Sequence, residues 1–397
     1  MSSPPPPPTF PSSLPTMAMT TQAIHADDTF TPHRAIAPAM HVAVTYRYTR
    51  DSDSLTPNDN TDPTPPQDSH IYARYSTPNT ARFETILRSL FNSHPVLTYS
   101  TALAAFHAIL VHLNPRRIFI GDGYHGVHAV IDIMSKLTGM IKHSLEDLEH
   151  NIRPEAGDII HVETPVNPTG EARNIAYYAG IARSVGAWVT VDATLAPPPL
   201  QDPIALGADS VMHSATKYIG GHSDLLGGVL VFGPGAVERG WVEGMKTERL
   251  VLGAVMGSLE GWLGVRSLRT LELRVRRQSE TAVGLVRWLV GEVGEGDGSV
   301  VGRVVERVRH ASLQEEEDGW WLKRQMSGGF GAWARRLPGK MVVFQHATSL
   351  GDVESLIEWR AMSDEGCDRR FLRVSCGLED LEDLKGNFVR GCRALLS

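Results

Sequence analysis

A lysine that follows two hydroxyl residues stands at the end of an apolar run in this chain. Residues 210–213 are β-prone, and Ser214, Thr216 and Lys217 come directly after them. A lysine can form an imine with an aldehyde cofactor, and neighbouring hydroxyl groups can donate hydrogen bonds to that cofactor's phosphate. The spacing therefore predicts a site at which Lys217 binds an aldehyde cofactor covalently.

Other chemically useful groups follow other predicted strands. Short apolar runs alternate with helical patterns from residue 96 to residue 213, which predicts an α/β fold with a mostly parallel, doubly wound sheet. Such sheets bind ligands at the carboxyl ends of their strands. The residues that follow those ends, in chain order, are Thr101, Ala102, Leu103, Tyr124, Asn167 and Asp192.

These residues have complementary chemistry. The backbone from Thr101 to Leu103 opens a predicted helix, whose N–H groups can hold a phosphate. Tyr124 can stack on a flat ring, Asn167 offers an amide, and the Asp192 carboxylate can pair with a ring nitrogen. We therefore expect one edge of the sheet to gather a phosphate cradle, an aromatic ring, an amide, a carboxylate and an amine.

Composition divides the chain into four segments. Residues 1–21 are rich in Pro, Ser and Thr and are predicted to be a disordered tail. Residues 22–70 form an N-terminal arm and loop, with ordered folding expected from about residue 71. Residues 71–256 form the cofactor-binding α/β domain. Residues 257–397 form a smaller C-terminal α+β domain that begins with one long helical stretch, 259–293.

Charge and cysteine content exclude several classes of protein. The 397-residue chain has a net charge of −7, which does not indicate binding to nucleic acid or to an anionic membrane. It contains no run of about 18 apolar residues, so no membrane span is predicted. Three cysteines without a C-x-x-C pair favour a reducing, cytoplasmic location. No metal site is predicted.

A competing motif lies at residues 121–126, which read GDGYHG. This G-x-G-x-x-G pattern follows a predicted strand and opens a helix, and Glu146 lies about 20 residues further on, as a dinucleotide-binding fingerprint requires. The alternative it supports is an NAD(P)-dependent oxidoreductase. That alternative leaves Lys217 and Asp192 without a role, and it places the bulky Tyr124 and His125 where a backbone must approach pyrophosphate.

Taken together, the motifs resemble the Cys/Met-metabolism, or trans-sulfuration, family of pyridoxal-phosphate-dependent enzymes. SATKYIGGHSD resembles the family's cofactor-lysine motif, VDAT resembles its VDNT, and ETPVNPTG resembles its ETPxNPT. The resemblance runs from about residue 35 to the C-terminus. It implies an aspartate-aminotransferase-like fold with pyridoxal 5′-phosphate as cofactor. It assigns the covalent linkage to Lys217, phosphate contacts to Ser214 and Thr216, the ring nitrogen to Asp192, and the phenolic oxygen to Asn167.

Two further motifs extend the resemblance. The stretch IYARYSTPNTARFE resembles a family motif whose Tyr and Arg, here Tyr72 and Arg74, reach the phosphate of a neighbouring subunit. Near the C-terminus, TSLGDVESLI and FLRVSCGLEDLEDL resemble the substrate-carboxylate elements, which implies that Ser349 and Arg373 bind the carboxylate of an amino acid. A site completed by a second subunit implies at least a homodimer, and the family implies a homotetramer.

The chain also departs from the family pattern. The phosphate loop lacks the family's glycine, because Ala102 stands there, and the Asn after the aspartate is Ala193. Tyr-Gly-Gly-Thr reads Tyr124-His125-Gly126-Val127. Enzymes that make or cleave cystathionine often have a glutamate or tyrosine where this chain has Thr348, so threonine weakens the case for cysteine as second substrate.

The resemblance implies a γ-replacement or elimination on a homoserine ester or related amino acid, of the cystathionine γ-synthase type. Lys217, Tyr124 and Asp192 are the expected catalytic residues. Arg373, Ser349, Thr348 and Asn167 are expected to contact the substrate. Cystathionine β- or γ-lyase, methionine γ-lyase, or γ-substitution in a specialised pathway are alternatives within the family. A scaffold that binds the cofactor without turning over substrate is a non-enzyme alternative.

Overall fold

A large sheet forms the centre of the structure, a computed structural model that describes residues 14–30, 35–48, 50, 53, 70–150, 152–330, 341–363 and 368–396. In this part of the chain the sheet has seven strands. They are β1 (Val96–Tyr99), β2 (Arg117–Ile120), β3 (Ile141–Ser144), β4 (Ile159–Glu163), β5 (Trp188–Asp192), β6 (Ser210–Ser214) and β7 (Gly228–Phe232). Their order is β1-β7-β6-β5-β4-β2-β3, and β7 pairs antiparallel with both of its neighbours while the other described pairs are parallel. The predicted mostly parallel α/β sheet is confirmed.

The described residues form twelve α-helices, most of which cover the two faces of this sheet. They are α1 (Met19–His25), α2 (Pro78–Leu90), α3 (Ala102–Leu113), α4 (His125–Thr138), α5 (Leu145–His150), α6 (Ile175–Val185), α7 (Pro234–Glu238), α8 (Trp241–Leu252), α9 (Ser258–Leu268), α10 (Leu271–Gly294), α11 (Glu315–Gln325) and α12 (Leu381–Leu396). Successive strand residues point to opposite faces. Val211 therefore joins the core under α2, α6 and α9, whereas Met212 joins the core under α3, α4 and α8. Burial on both faces explains why these strands are nearly continuous apolar runs.

A second, smaller sheet lies in the C-terminal part of the chain. It contains β8 (Gln345–His346), β9 (Leu356–Trp359) and β10 (Leu372–Ser375), in the order β10-β9-β8. Its core includes Ile357 and Val374 and is closed by α12 and the second half of α10. Helix α9, by contrast, packs on α2, where a Cβ atom at Gly261 would lie 2.9 Å from the backbone nitrogen of Thr80. The core of the large sheet therefore includes residues of α9, which follows the predicted domain boundary at residues 256/257. That boundary stays a prediction.

The beginning of the ordered chain differs from the prediction. Ordered structure was expected only from about residue 71, yet α1 starts at Met19 and packs against α2. Asp27, fully buried, explains why: its carboxylate binds Arg82 at 3.0 Å and Arg269 at 2.6 Å. A buried carboxylate held by two guanidiniums anchors this arm to the body of the protein. Of the predicted disordered tail, residues 1–13 lie outside the described residues, while 14–21 are largely helical.

Three local elements differ from what the sequence patterns indicate. The helical stretch 259–293 is two helices, because Thr270 leaves the helical conformation (φ −120°, ψ 10°) between α9 and α10. Strand β3 was not predicted, since its residues read IKHS and are exposed or only partly buried. Residues 41–46 have a strand-like alternation but make one isolated bridge, from Thr45 to Tyr72. No helix in the described residues is long and apolar enough to cross a membrane.

Candidate active site

The predicted lysine lies in a tight turn at the carboxyl end of β6. The Lys217 backbone N–H donates to the carbonyl of Ser214 at 3.1 Å, and the Lys217 carbonyl accepts from Gly221 at 2.7 Å. Tyr218 and Ile219, the next two residues, are buried in the core, and Arg274 donates to the Tyr218 carbonyl at 2.8 Å. The turn is therefore fixed on both sides of Lys217, and its amine is held at the strand end.

The Lys217 side chain is half-buried, and its amine donates a hydrogen bond to Ser349 Oγ at 2.8 Å. Ser349 has a φ of 88°, a conformation that residues other than glycine rarely adopt. Burial, followed by the positive charge of Arg373, lowers the pKa of Lys217 from 10.5 to about 8. A lysine with this pKa has a substantial neutral fraction at physiological pH, which both a nucleophile and a general base require.

The pKa of Lys217 predicts how the cofactor-free protein reacts with pyridoxal phosphate. Only the neutral amine attacks an aldehyde, so the rate of covalent incorporation is expected to rise with pH and to level off above about pH 8. Stopped-flow absorbance over a pH series measures this rate. A rate that keeps rising towards 10.5, the ordinary value for lysine, would show that the amine is not desolvated.

Asp192 lies at the end of β5, beside β6, and is 6% exposed. Its Oδ1 accepts from the backbone N–H of Thr194 at 2.9 Å, and the Thr194 hydroxyl accepts from the N–H of Ser214 at 2.8 Å. Burial raises the pKa of Asp192. Among the residues that the structure describes, no cationic side chain forms a salt bridge with it. Since buried carboxylates are normally paired, Asp192 fits a role as partner of a protonated ring nitrogen.

The predicted phosphate cradle is assembled around Gly228. This glycine is the Cα partner of Tyr99 in β1 and of Ser214 in β6, which places the start of α3 beside Ser214. A Cβ atom at Gly228 would lie 2.3 Å from the Thr101 carbonyl oxygen, so only glycine permits this approach. Thr101 caps α3 by accepting from Ala104 N–H at 2.9 Å.

The remaining cradle groups are main-chain N–H groups and a second hydroxyl. Ala102 and Leu103 are the first two residues of α3, where backbone N–H groups have no acceptor within the helix. Thr216 lies two residues after Ser214, the last residue of β6, and its hydroxyl accepts from Gly227 N–H at 3.3 Å. The arrangement suits a phosphate without the glycine that the family has at position 102.

Sequence reasoning missed Glu163, the last residue of β4. Its carboxylate accepts from the backbone N–H of Tyr124 at 2.7 Å and from that of Asn167 at 2.5 Å. It thereby joins the two loops that carry predicted site residues. Burial and the adjacent Asp192 raise the pKa of Glu163 to about 8, while the two N–H groups favour its ionised form. The sequence did contain a signal for Glu163, because this carboxylate ends a buried strand and begins the ETPVNPTG motif.

Replacing Glu163 with glutamine is expected to lower kcat/KM. The carboxylate supplies two acceptor oxygens, whereas the amide supplies one, so the N–H of Tyr124 or of Asn167 loses its acceptor. An unsatisfied buried donor costs about 1–3 kcal/mol, which corresponds to a decrease of roughly tenfold to a hundredfold. Steady-state kinetics measure the effect. Glu155→Gln, at an exposed carboxylate, is the control, and a Glu163→Gln enzyme with unchanged kinetics would contradict this role.

Arg373 in β10 completes the group around Lys217. Its guanidinium donates to Asn167 Oδ1 at 3.2 Å and to the Ser349 carbonyl at 3.0 Å, and it forms a 2.7 Å salt bridge with Glu358. The side chain is 5% exposed, and burial lowers its pKa to about 10, so it stays cationic at neutral pH. The C-terminal sheet thus brings a guanidinium to the amine and the amide of the large sheet.

The structure leaves three predicted site residues at the surface of the single chain. Tyr72 and Arg74 are exposed, with the Arg74 guanidinium 5.5 Å from the Tyr72 ring. Their assignment to the phosphate of a neighbouring subunit stays a prediction. Thr348 is also exposed, whereas the adjacent Ser349 is half-buried and bonded to Lys217.

The G-x-G-x-x-G loop is covered by side chains. A Cβ atom would lie 2.5 Å from the Arg173 guanidinium at Gly121 and 2.4 Å from the Glu163 carboxylate at Gly123. Arg173 also donates to the carbonyl of Asp122 at 2.9 Å. Gly121 and Glu146 do line one cleft of about 640 Å³, but the glycines accommodate Glu163 and Arg173 rather than leaving backbone open to pyrophosphate.

The residues present fit pyridoxal phosphate. A buried carboxylate that lacks a cationic partner among the described residues, a desolvated lysine and a helix N-terminus beside two hydroxyls lie at one edge of the sheet. Lys217 would hold the aldehyde carbon, Asp192 the ring nitrogen, and Ser214, Thr216 and the start of α3 the phosphate. This donor set complements each charged or reactive part of the cofactor.

Comparison with known proteins finds one matching family and several similar proteins. The family described as Cys/Met metabolism PLP-dependent enzyme matches residues 20–393. L-methionine γ-lyase of Pseudomonas putida is 30% identical over 358 residues, which are 83% of this chain and 86% of that protein. Cystathionine γ-synthase of Escherichia coli is 30% identical over 389 residues, 90% of this chain and 93% of that protein. The crystal structure of metB from Corynebacterium glutamicum superposes with a TM-score of 0.81 at 25% identity and covers 96% of this chain and 99% of that one.

Proposed function

The chain belongs to the Cys/Met metabolism family of PLP-dependent enzymes, and from this premise we propose that it catalyses γ-replacement or elimination on a homoserine ester or related amino acid. Membership makes the chain a PLP-dependent transferase or lyase of trans-sulfuration type. It also shows that the dinucleotide-binding alternative at residues 121–126 is wrong. The reaction type within the family is our proposal, because relatives of equal similarity include both a lyase and a synthase.

Lys217 is the central residue of the proposed mechanism. When bound, pyridoxal phosphate supplies an aldehyde that condenses with amines and an aromatic ring that accepts electron density from the substrate carbons. Lys217, once exchanged for the substrate's amino group, takes the proton from the substrate Cα. Its pKa of about 8 and its hydrogen bond to Ser349 suit it to accept that proton and to deliver it at a neighbouring carbon.

The other residues bind and orient. When the cofactor is bound, the buried carboxylate of Asp192 would accept a hydrogen bond from the protonated ring nitrogen. Tyr124 would stack on the ring and assist proton transfer at the leaving group. Arg373 would bind the substrate carboxylate with two parallel N–H groups, and Asn167, bonded to Arg373, would be the partner of the phenolic oxygen.

One observation carries the proposal. Lys217, Ser349, Arg373 and Asn167 form a continuous chain of hydrogen bonds of 2.8–3.2 Å, although they come from four separate segments of the sequence. An amine that acts at Cα is thereby held beside a guanidinium that suits the carboxylate on the same carbon. This geometry supports an α-amino acid as substrate.

Thr348 favours γ-replacement with a nucleophile other than cysteine. It is exposed and has no ionisable group with which to bind the distal amino group of cysteine or cystathionine. Acetate, phosphate or a thiol is the expected leaving group. The alternative is a C–S lyase that releases ammonia and a 2-oxo acid, an activity that the L-methionine γ-lyase relative has by name.

A spectral screen with product detection tests this function. Purified holoprotein is mixed with O-acetylhomoserine, O-succinylhomoserine, cystathionine, methionine or cysteine, and the visible absorbance of the cofactor is followed. The proposal predicts spectral change and acyl release with a homoserine ester. Turnover confined to cystathionine or methionine would favour the lyase, and an unchanged spectrum with all five would contradict both.

The proposal includes assembly into a homodimer at least, and into a homotetramer as the family implies. Exposed apolar side chains on the N-terminal arm support it, among them Ile36 at 99% and Val42 at 77% exposure. Tyr72 and Arg74 lie just after this arm in the sequence and would complete a neighbour's phosphate site. The cysteine content supports a cytoplasmic location.

A further inference from the structure

Arg373 is paired across the small sheet with a carboxylate. Arg373 and Glu358 are Cα partners in β10 and β9, and both side chains are 5% exposed. Their 2.7 Å salt bridge would by itself neutralise the guanidinium. A neutral pair attracts a substrate carboxylate much less than a cation does.

A second guanidinium shares the same carboxylate. Arg360, 2% exposed, lies 3.4 Å from Glu358 Oε2 and donates to Ser363 Oγ at 2.9 Å. The Ser363 hydroxyl in turn donates to Glu358 Oε1 at 2.6 Å. Two buried cations therefore share one buried carboxylate, so Glu358 does not compensate Arg373 alone. The charges of this group also act on Lys217, whose pKa Arg373 and Arg360 lower and Glu358 raises.

Arg360 is held from the other side by His125. The Arg360 Nη2 lies 3.1 Å from His125 Nδ1. A guanidinium can only donate, so His125 Nδ1 is the acceptor in this contact. The His125 ring also packs at 4.7 Å from the ring of Tyr124. His125 stands where the family pattern has glycine, so this link is a property of this chain.

We propose that Arg360 and His125 are positioning residues that make Arg373 a strong binding site for the substrate carboxylate. Glu358 would otherwise compensate the charge of Arg373 alone. Arg360 shares that carboxylate and so leaves Arg373 more positive, and His125 fixes the orientation of Arg360. The inference rests on the proposed function, since it requires an α-amino acid in the site. If the inference holds, the preference for substrates with an α-carboxylate depends on Arg360, a buried arginine that acts through Arg373.

Binding of two matched ligands tests the inference. L-homoserine and aminopropanol, its decarboxylated counterpart, are titrated into the holoprotein while the cofactor absorbance is followed. Arg360→Met should weaken L-homoserine binding by about tenfold or more, the range expected when one member of a buried charge group is removed. Aminopropanol binding should be unchanged. Arg360→Lys, which keeps the charge, should restore most of the affinity, and Arg370→Met, at an exposed arginine of the same segment, should have no effect.

A double-mutant cycle and a surface variant complete the test. In an Arg373→Ala background, Arg360→Met should have less than about a threefold further effect, because coupled residues are not additive. His125→Ala, at an exposed position, should weaken L-homoserine by about two- to tenfold through loss of one hydrogen bond. It decides the question if Arg360→Met does not fold.

Three results would overturn the inference. They are equal losses for L-homoserine and aminopropanol, an Arg360→Met effect that persists without Arg373, and a His125→Ala protein that binds L-homoserine as the unmodified protein does. An unmodified holoprotein whose spectrum responds to no amino acid would instead overturn the proposed function, and the inference with it.

Discussion

Lys217→Ala is expected to abolish turnover and the visible absorbance of the lysine–cofactor linkage. The substitution removes the covalent attachment and also the general base at Cα, and general-base catalysis alone is worth roughly 10²–10⁴-fold in rate. The buried Asp192 and the phosphate cradle remain, so the variant should still bind pyridoxal phosphate non-covalently. Single-turnover kinetics and absorbance spectra of the purified variant measure both effects.

Two controls separate chemistry from folding in this experiment. Lys385→Ala removes a lysine in α12 whose partner among the described residues is the exposed Glu382, so it should leave activity unchanged. A small primary amine added to Lys217→Ala should restore part of the proton transfer, because the site lacks only the base. A Lys217→Ala protein that is yellow and active without added amine would refute the assignment of Lys217.

Arg373→Ala is expected to raise the KM for the amino acid substrate by roughly a hundredfold, with a smaller effect on kcat. Truncating one member of a buried charge pair costs about 2–5 kcal/mol, in part because Glu358 is left with less compensation. Arg373→Lys should recover only part of the loss, since an ammonium cannot form two parallel hydrogen bonds to a carboxylate. Steady-state kinetics and a thermal melt of each variant provide the measurement.

The effect of Arg373→Ala on KM has to be separated from its effect on the stability of the small sheet. Arg373 and Glu358 bridge β10 and β9, so loss of the arginine also destabilises this sheet. A raised KM with a melting temperature within a few degrees of the unmodified protein would place Arg373 in the carboxylate site. An unchanged KM would remove it from the site.

Local sequence patterns were sufficient to predict most of the large sheet. The apolar runs of β1, β2, β4, β5 and β6 are buried on both faces, and helices separate them, so periodicity alone identifies them. Strand β3 lacks that signal because it lies at the edge of the sheet and is largely exposed. Pattern reasoning therefore succeeds where burial dictates residue type and fails at an edge.

The N-terminal arm could not be predicted for a different reason. Its order depends on Asp27, whose partners Arg82 and Arg269 are 55 and 242 residues away in the chain. No local pattern shows that these three side chains meet. Composition alone predicted the arm's absence of structure, and a long-range charge cluster overrides that composition.

The residues of the candidate site also fall into a group that local patterns predict and a group that they do not. Lys217, Asp192 and Ser214 follow predicted strands, and the parallel register of β4, β5 and β6 brings them to one edge of the sheet, as expected. Glu163, Glu358 and Arg360 were not predicted, since their importance arises from contacts between segments far apart in sequence.

Borohydride reduction followed by peptide mapping tests the central claim most directly. Reduction of the purified holoprotein converts the lysine–cofactor linkage into a stable pyridoxyl adduct that survives proteolysis. We predict that the adduct lies on the peptide that contains Lys217 and that preincubation with excess substrate amino acid diminishes it. An adduct on a different lysine, or none in a protein that turns over amino acids, would contradict the account.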